Sequence, residues 1–133
     1  MVVTLPIIQS ASADSTLYSL DTIAANHPNL RVIAIPAIED GFSASNQAAL
    51  KIWYESKLAH GIIITSGLYT RKTSGTQQHG VMQWLTMVSK NEVFNIDVLG
   101  PGYKFVVSEA GNLSAALLPQ TKMWSRTISR AIQ

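Results

Sequence analysis

The residues best suited to chemistry in this sequence are two adjacent carboxylates, Glu39 and Asp40. They follow an apolar, β-branched run that ends at Pro36, and Ser10 and Ser66 follow two similar runs. In a parallel sheet, ligands bind outside the carboxyl ends of the strands. The pattern therefore indicates a site in which Glu39 and Asp40 act as acid and base and the serines contact a ligand. The alternative, which we favour, is that the acidic residues only stabilise a turn and the start of the next helix.

A second candidate is the polar segment 70–80, which is rich in glycine, serine and threonine and is expected to be a mobile loop. Arg71 and Lys72 in this loop are candidates for contacting an anion, although charged loop residues are more often only solvated. The common phosphate-binding, dinucleotide-binding and metalloprotease motifs are absent. The three histidines are far apart and the sequence has no cysteine. We therefore expect no metal site and no cofactor.

The elements that must position these residues alternate between strand and helix in the first half of the chain. Residues 2–8 predict a strand rather than a signal peptide, because a basic segment is lacking and Pro6 interrupts the apolar run. A helix capped by Asp14 or Ser15 is expected to reach about Asn26. It is followed by a strand over 30–35, a helix over 47–59 and a strand over 62–65. This order predicts a mostly parallel layer.

The helix over 47–59 is the most clearly marked element. Ser43 or Ser45 is the expected N-cap, and Gly61 is the expected stop. Spacings of three, four and eight residues place four large apolar side chains on one face, namely Leu50, Trp53, Tyr54 and Leu58. The β-branched run over 62–65 that follows predicts a strand buried on both faces.

In the second half the apolar residues alternate with period two, which predicts antiparallel strands with one wet face. The expected strands cover 81–86, 94–98, 103–107 and 113–118. The fold class is thus α+β: an N-terminal β-α-β-α-β layer followed by an antiparallel β meander, with residues 1–133 forming a single domain.

The tail, residues 120–133, predicts a short helix or an extended arm. It carries apolar residues although a free chain end is normally frayed. We expect Trp124 and Ile128 to be its apolar contacts and Arg126 and Arg130 a polar rim at an interface between subunits. The alternative is that the tail docks on its own domain.

Charged residues make up only 14% of the sequence, against about 25% in an average soluble domain. Because interface cores are depleted in charge, this composition favours a homo-oligomer or contacts with other protein subunits. A net charge of +2 without a basic stripe argues against nucleic acid. No apolar run approaches the roughly 18 residues that would span a bilayer, so no membrane partner is expected.

Together these features predict a non-enzymatic structural subunit of a homo-oligomeric assembly, in the form of a virion protein such as a phage capsid, cement or tail component. The alternative is a small α/β enzyme or ligand-binding domain with an acidic site at the strand carboxyl ends, around Glu39 and Asp40. The first function would place the protein in a virion and the second in the cytoplasm.

Overall fold

The structure, a computed structural model, describes all 133 residues and contains one five-stranded mixed sheet. The strand order is β3-β2-β1-β4-β5. The strands are β1 (Val2–Leu5), β2 (Ile33–Pro36), β3 (Ile63–Ile64), β4 (Lys104–Val107) and β5 (Leu113–Leu117). The helices are α1 (Ala11–Asn26), α2 (Gln47–Lys57), α3 (Gly80–Thr86), α4 (Val88–Asn91) and α5 (Arg126–Ala131). The predicted fold class, α+β in a single domain, is confirmed, since helices and a mixed sheet form one domain.

Strand β1 lies at the centre of the sheet. It pairs in parallel with β2 and antiparallel with β4, so that Val3 is the register partner of Ala34 in β2 and of Lys104 in β4. Its residues are buried along the whole strand. Alternate residues therefore supply two cores: Val3 and Leu5 pack beneath α1 and α2, and Val2 packs on the opposite face with Met82 and Phe105.

Helix α1 begins four residues earlier than a cap at Asp14 would place it. Ser10 is its N-cap, and the Ser10 hydroxyl accepts a hydrogen bond from the backbone N–H of Ala13 at 3.0 Å. The predicted cap, Asp14, instead lies in the first turn and accepts a hydrogen bond from the Trp53 indole at 2.8 Å. This bond joins α1 to α2, so tertiary contact decided the role of Asp14.

The predicted apolar face of α2 is confirmed, since Leu50, Trp53, Tyr54 and Leu58 are all buried. The prediction of a serine cap is wrong. Asn46 precedes the helix, and its side chain folds back to the Gly41 carbonyl and the Ser43 N–H. The prediction that the strand after α2 is buried on both faces is also wrong. Strand β3 is an edge strand of two residues, and Ile63 is 56% exposed.

Two predicted strands of the second half are absent. Residues 81–86 lie mostly in α3, where Met82, Leu85 and Thr86 are buried at helical spacing. A short apolar run fits both the helical period and the strand period, so only its tertiary packing decides which structure forms. Residues 94–98 are irregular. Just before them, the Asn91 side-chain amide forms four hydrogen bonds to backbone groups of Trp84, Val93 and Phe94. The predicted meander is thus reduced to the antiparallel pair β4–β5.

The tail docks on its own chain. Ser125 caps α5, and Ile128 is completely buried in the core beneath α1. The prediction that Ile128 lies at an intersubunit contact is therefore wrong for this side chain. Trp124, Arg126 and Arg130 are exposed, and their role at an interface stays a prediction. No helix is both long and apolar enough to cross a membrane.

We expect Ile128→Ala to lower the free energy of unfolding by about 2–5 kcal/mol, because it leaves a cavity in the core. Trp124→Ala should change it by no more than about 0.5 kcal/mol, because this side chain is exposed. Urea unfolding of both variants measures the difference. A larger loss for Trp124→Ala than for Ile128→Ala would show that the tail packs through the opposite face.

Candidate functional site

The carboxyl ends of the three parallel strands lie along one edge of the sheet, as the sequence predicts. Glu39 and Asp40 form part of a short 3-10 turn, Ile38–Asp40, that follows β2. Asp40 and Ser10 line one cleft, of about 390 Å³. Ser66 lines a separate hollow of about 220 Å³ beside α2. The structure thus brings Asp40 and Ser10 together and places Ser66 elsewhere.

Glu39 has a structural role that the sequence did not reveal. Its carboxylate accepts hydrogen bonds from the backbone N–H groups of Thr70 and Arg71, at 2.8 and 2.6 Å, and from the Ser74 hydroxyl at 2.9 Å. Burial alone would raise the pKa of Glu39, but these hydrogen bonds together lower it below the usual value. Glu39 is therefore an ionised anchor for the following segment, and it does not line the cleft.

The segment anchored by Glu39 is less mobile than predicted, because residues 72–77 form two short 3-10 turns tied to the domain. Arg71 donates through Nη2 to Asp40 at 2.7 Å and to the Leu99 carbonyl at 2.9 Å. Lys72 donates to the Asn95 side chain at 2.6 Å. Both predicted anion contacts are thus engaged within the protein, and neither residue lines the cleft.

Asp40 presents one carboxyl oxygen that the protein leaves without a partner. Its side chain is only 9% exposed. Oδ1 accepts the Arg71 hydrogen bond, whereas Oδ2 is buried and unpaired. Burial raises the pKa of Asp40; the Arg71 charge opposes this and the Glu39 charge adds to it, so that the net direction is upward. Asp40 therefore retains a proton to a higher pH than an ordinary aspartate.

Lys104 is the main residue of the cleft that the sequence did not identify. It is 4% exposed, and its Nζ donates to the carbonyls of Gly102 at 2.8 Å and Pro119 at 3.3 Å. No carboxylate forms a salt bridge with it. Burial lowers the pKa of Lys104 to about 8, and the nearby charge of Lys122 adds to this effect.

The period-two pattern suggested that Lys104 would lie on a wet face of the sheet. Lys104 and Val106 share one face of β4, and Val106 belongs to the core beneath α1. Because helices cover this face, the lysine is buried. A lone lysine in an alternating strand gives no sequence signal of that outcome.

The N-terminus of α1 forms another wall of the cleft. The backbone N–H groups of Ala11 and Ser12 have no acceptor in the protein, since the Ser10 hydroxyl bonds to Ala13. Unpaired N–H groups at the start of a helix carry a partial positive charge. The cleft therefore combines this positive helix end, the Lys104 amine and the Asp40 side chain.

The histidines lie away from the cleft. His60 pairs with Asp21 at 2.9 Å, and the His79 ring accepts the Val81 N–H at the start of α3. No three side chains of His, Cys, Asp or Glu come together to hold a metal ion.

No protein-family model and no curated protein matches this sequence. Among solved structures, the crystal structure of Trgpx in its apo form is similar. It aligns with 98% of this chain and 78% of its own, with a TM-score of 0.65 and 13% sequence identity. At this identity the similarity shows the fold.

This similarity corrects the functional prediction. The prediction of a non-enzymatic virion subunit is wrong, because the solved structure that shares the fold is Trgpx, described in an apo form, and is not named as a virion component. The low charge content had suggested a subunit surface, but composition does not distinguish a protein interface from an uncharged surface. The alternative prediction, a small α/β enzyme or ligand-binding domain, is the better supported one. None of the 133 residues is cysteine, so chemistry in the cleft must use oxygen and nitrogen groups.

We expect Glu39→Gln to lower the free energy of unfolding at pH 7 by about 1–3 kcal/mol, because hydrogen bonds to a carboxylate are lost. The pKa of Glu39 is lowered in the folded protein, so its stabilising effect is lost as the pH falls through that lowered value. The difference from wild type should therefore shrink below about pH 4. Urea unfolding across pH measures this. Glu55→Gln, on the exposed face of α2, is the control, and a constant difference down to about pH 2 would contradict the assignment.

A second prediction concerns Lys104→Met. The folded-state pKa of about 8 lies below the ordinary 10.5, so the unfolded chain binds more protons between these values. Wild-type stability should therefore rise relative to the variant from about pH 8 to pH 10. Other groups with shifted pKa values, such as Tyr54, titrate in both proteins and cancel. Lys57→Met, at an exposed lysine, should show no such rise in the difference.

Proposed function

We propose that this protein is a small enzyme or ligand-binding domain whose site is the cleft at the carboxyl end of β1, and that the site takes a small organic anion. The observation that carries the proposal is the convergence in one cleft of a buried lysine that has no carboxylate partner, the Asp40 side chain and the first turn of α1. Lysines are almost never fully buried unless they are paired, so Lys104 calls for an explanation.

The preference for an anion follows from the charges that face the cleft. The Lys104 ammonium can donate three hydrogen bonds, and the protein accepts two. Ala11 and Ser12 add backbone donors at the positive end of α1. Asp40 opposes an anion when ionised, and the upward direction of its pKa, caused by burial, lessens that opposition.

Acid and base roles follow from the same two side chains. Burial raises the pKa of Asp40 and lowers that of Lys104, so both shifts bring the side chains closer to neutrality. Groups that titrate near the working pH exchange protons with a ligand most effectively. Asp40 is thus the candidate acid and Lys104 the candidate base. Glu39, the other carboxylate predicted from the sequence, is engaged by the segment that it anchors.

Binding can be tested by titrating ¹⁵N-labelled protein with acetate and recording amide chemical shifts. We expect the Ala11 and Ser12 amides to shift, and Lys104→Met to weaken binding at least about tenfold, because a charge-assisted hydrogen bond is lost. Lys57→Met is the matched control and should bind as wild type. Absence of shifts at Ala11 and Ser12, or equal binding by Lys104→Met, would overturn the proposal.

Asp40→Asn separates two explanations of the unpaired Oδ2. If a bound anion is the partner of Oδ2, ionised Asp40 repels the anion. Binding to wild type should then weaken as the pH rises, whereas binding to Asp40→Asn should change little over the same pH range. If Oδ2 instead pairs with Arg71 Nε, which is also buried and unpaired, the pH dependence should be the same in both proteins. The second result would remove Asp40 from the site.

A further inference from the structure

The surroundings of Lys104 leave its amine suited to attack a carbonyl carbon. A neutral amine has two N–H donors and one lone pair. Two carbonyl oxygens, those of Gly102 and Pro119, lie within hydrogen-bond distance of Nζ. With both donors so engaged, the lone pair is directed away from these carbonyls, and Lys104 lines the open cleft. The protein offers Nζ no carboxylate that would hold it as an ammonium.

We propose that Lys104 is an imine-forming nucleophile, and that the ligand of the cleft is a small carbonyl compound carrying an anionic group, of the 2-oxo carboxylate class. This inference rests on the proposed function and specifies its ligand. The carboxylate of such a compound would take the free N–H groups of Ala11 and Ser12 at the start of α1. The adjacent keto carbon would then face the amine within the same cleft of about 390 Å³.

The step balances without an oxidant or a reductant. The Nζ lone pair forms a bond to the carbonyl carbon, and the C=O π bond breaks. A proton passes from nitrogen to oxygen to give a carbinolamine. A general acid donates a proton to the hydroxyl group, which leaves as water, and the nitrogen lone pair forms the C=N⁺ bond. Asp40, which lines the same cleft, is the candidate for this acid. Desolvation of a lysine is an established way to activate it for this chemistry.

The protonation state supports the same assignment. With a pKa of about 8, roughly one Lys104 side chain in ten is neutral at pH 7, whereas an exposed lysine is neutral in roughly one of three thousand molecules. The charged group beside Nζ is the Lys122 ammonium, which favours the neutral amine, and Asp40 lines the same cleft.

The experiment incubates the full chain with pyruvate and sodium cyanoborohydride at pH 7 and maps the reduced adduct by peptide mass spectrometry. Hydride adds to the imine carbon and fixes the bond as a secondary amine. We expect labelling of Lys104 to exceed that of Lys57 by at least about tenfold. Lys104→Arg should lose this label, and Lys57→Arg should retain it. Acetone, in which a methyl group replaces the carboxylate, should give a lower ratio of Lys104 to Lys57 labelling.

If Lys104→Arg does not fold, as judged by circular dichroism, Asp40→Asn provides a second variant. It keeps the nucleophile and should slow the initial rate of labelling, since the acid for water loss is removed. If the solvent-exposed lysines carry the label and Lys104 is unmodified, the inference is overturned. In that case pyruvate-induced shifts of the Ala11 and Ser12 amides would leave the proposed function standing, and absence of those shifts would overturn both.

Discussion

The cleft depends on the way in which Thr4 of the central strand binds the turn before β4. The backbone N–H of Thr4 donates to the Tyr103 carbonyl at 3.0 Å, and its carbonyl accepts from the Gly102 N–H at 2.8 Å. Its hydroxyl donates to the Gly100 carbonyl and accepts from the Tyr103 N–H, at 3.2 and 3.1 Å. Every polar group of this buried residue is thus bound to one turn. This places Gly102 and Lys104, residues nearly a hundred positions away, against the end of β1.

Charged side chains from the two halves of the sequence come together at and beside the cleft. The first half contributes Glu39 and Asp40, and the second half contributes Arg71 and Lys104. Glu39 fixes the segment that follows Tyr69, Arg71 returns to Asp40, and Lys104 closes the other side of the cleft. Acidic side chains of the first half are therefore at least partly matched by basic side chains of the second half within the domain.

The fold and the chemistry of this protein rest on different evidence. Similarity to Trgpx shows the fold, at an identity that transfers no residue role. The absence of cysteine separates the chemistry available here from any thiol chemistry. What the cleft offers instead is an amine and a carboxylic acid whose pKa values burial moves in opposite directions. One scaffold commonly carries unrelated functions, which are set by the side chains of its sites.

The sequence by itself determined the α/β class, the parallel first half, the buried face of α2 and the hairpin β4–β5. These features follow from local periodicity and from glycine and proline positions, which act over short distances. It also indicated that Asp40 and Ser10 follow neighbouring strands. It did not determine α3, the edge position of β3, the burial of Ile128 or the burial of Lys104. Those depend on which elements cover each other, and for Lys104 a helix over its face of β4 turned a residue expected in water into a buried amine. Only the tertiary structure decides such contacts, because they join residues that are remote in sequence, as Thr4 and Tyr103 show.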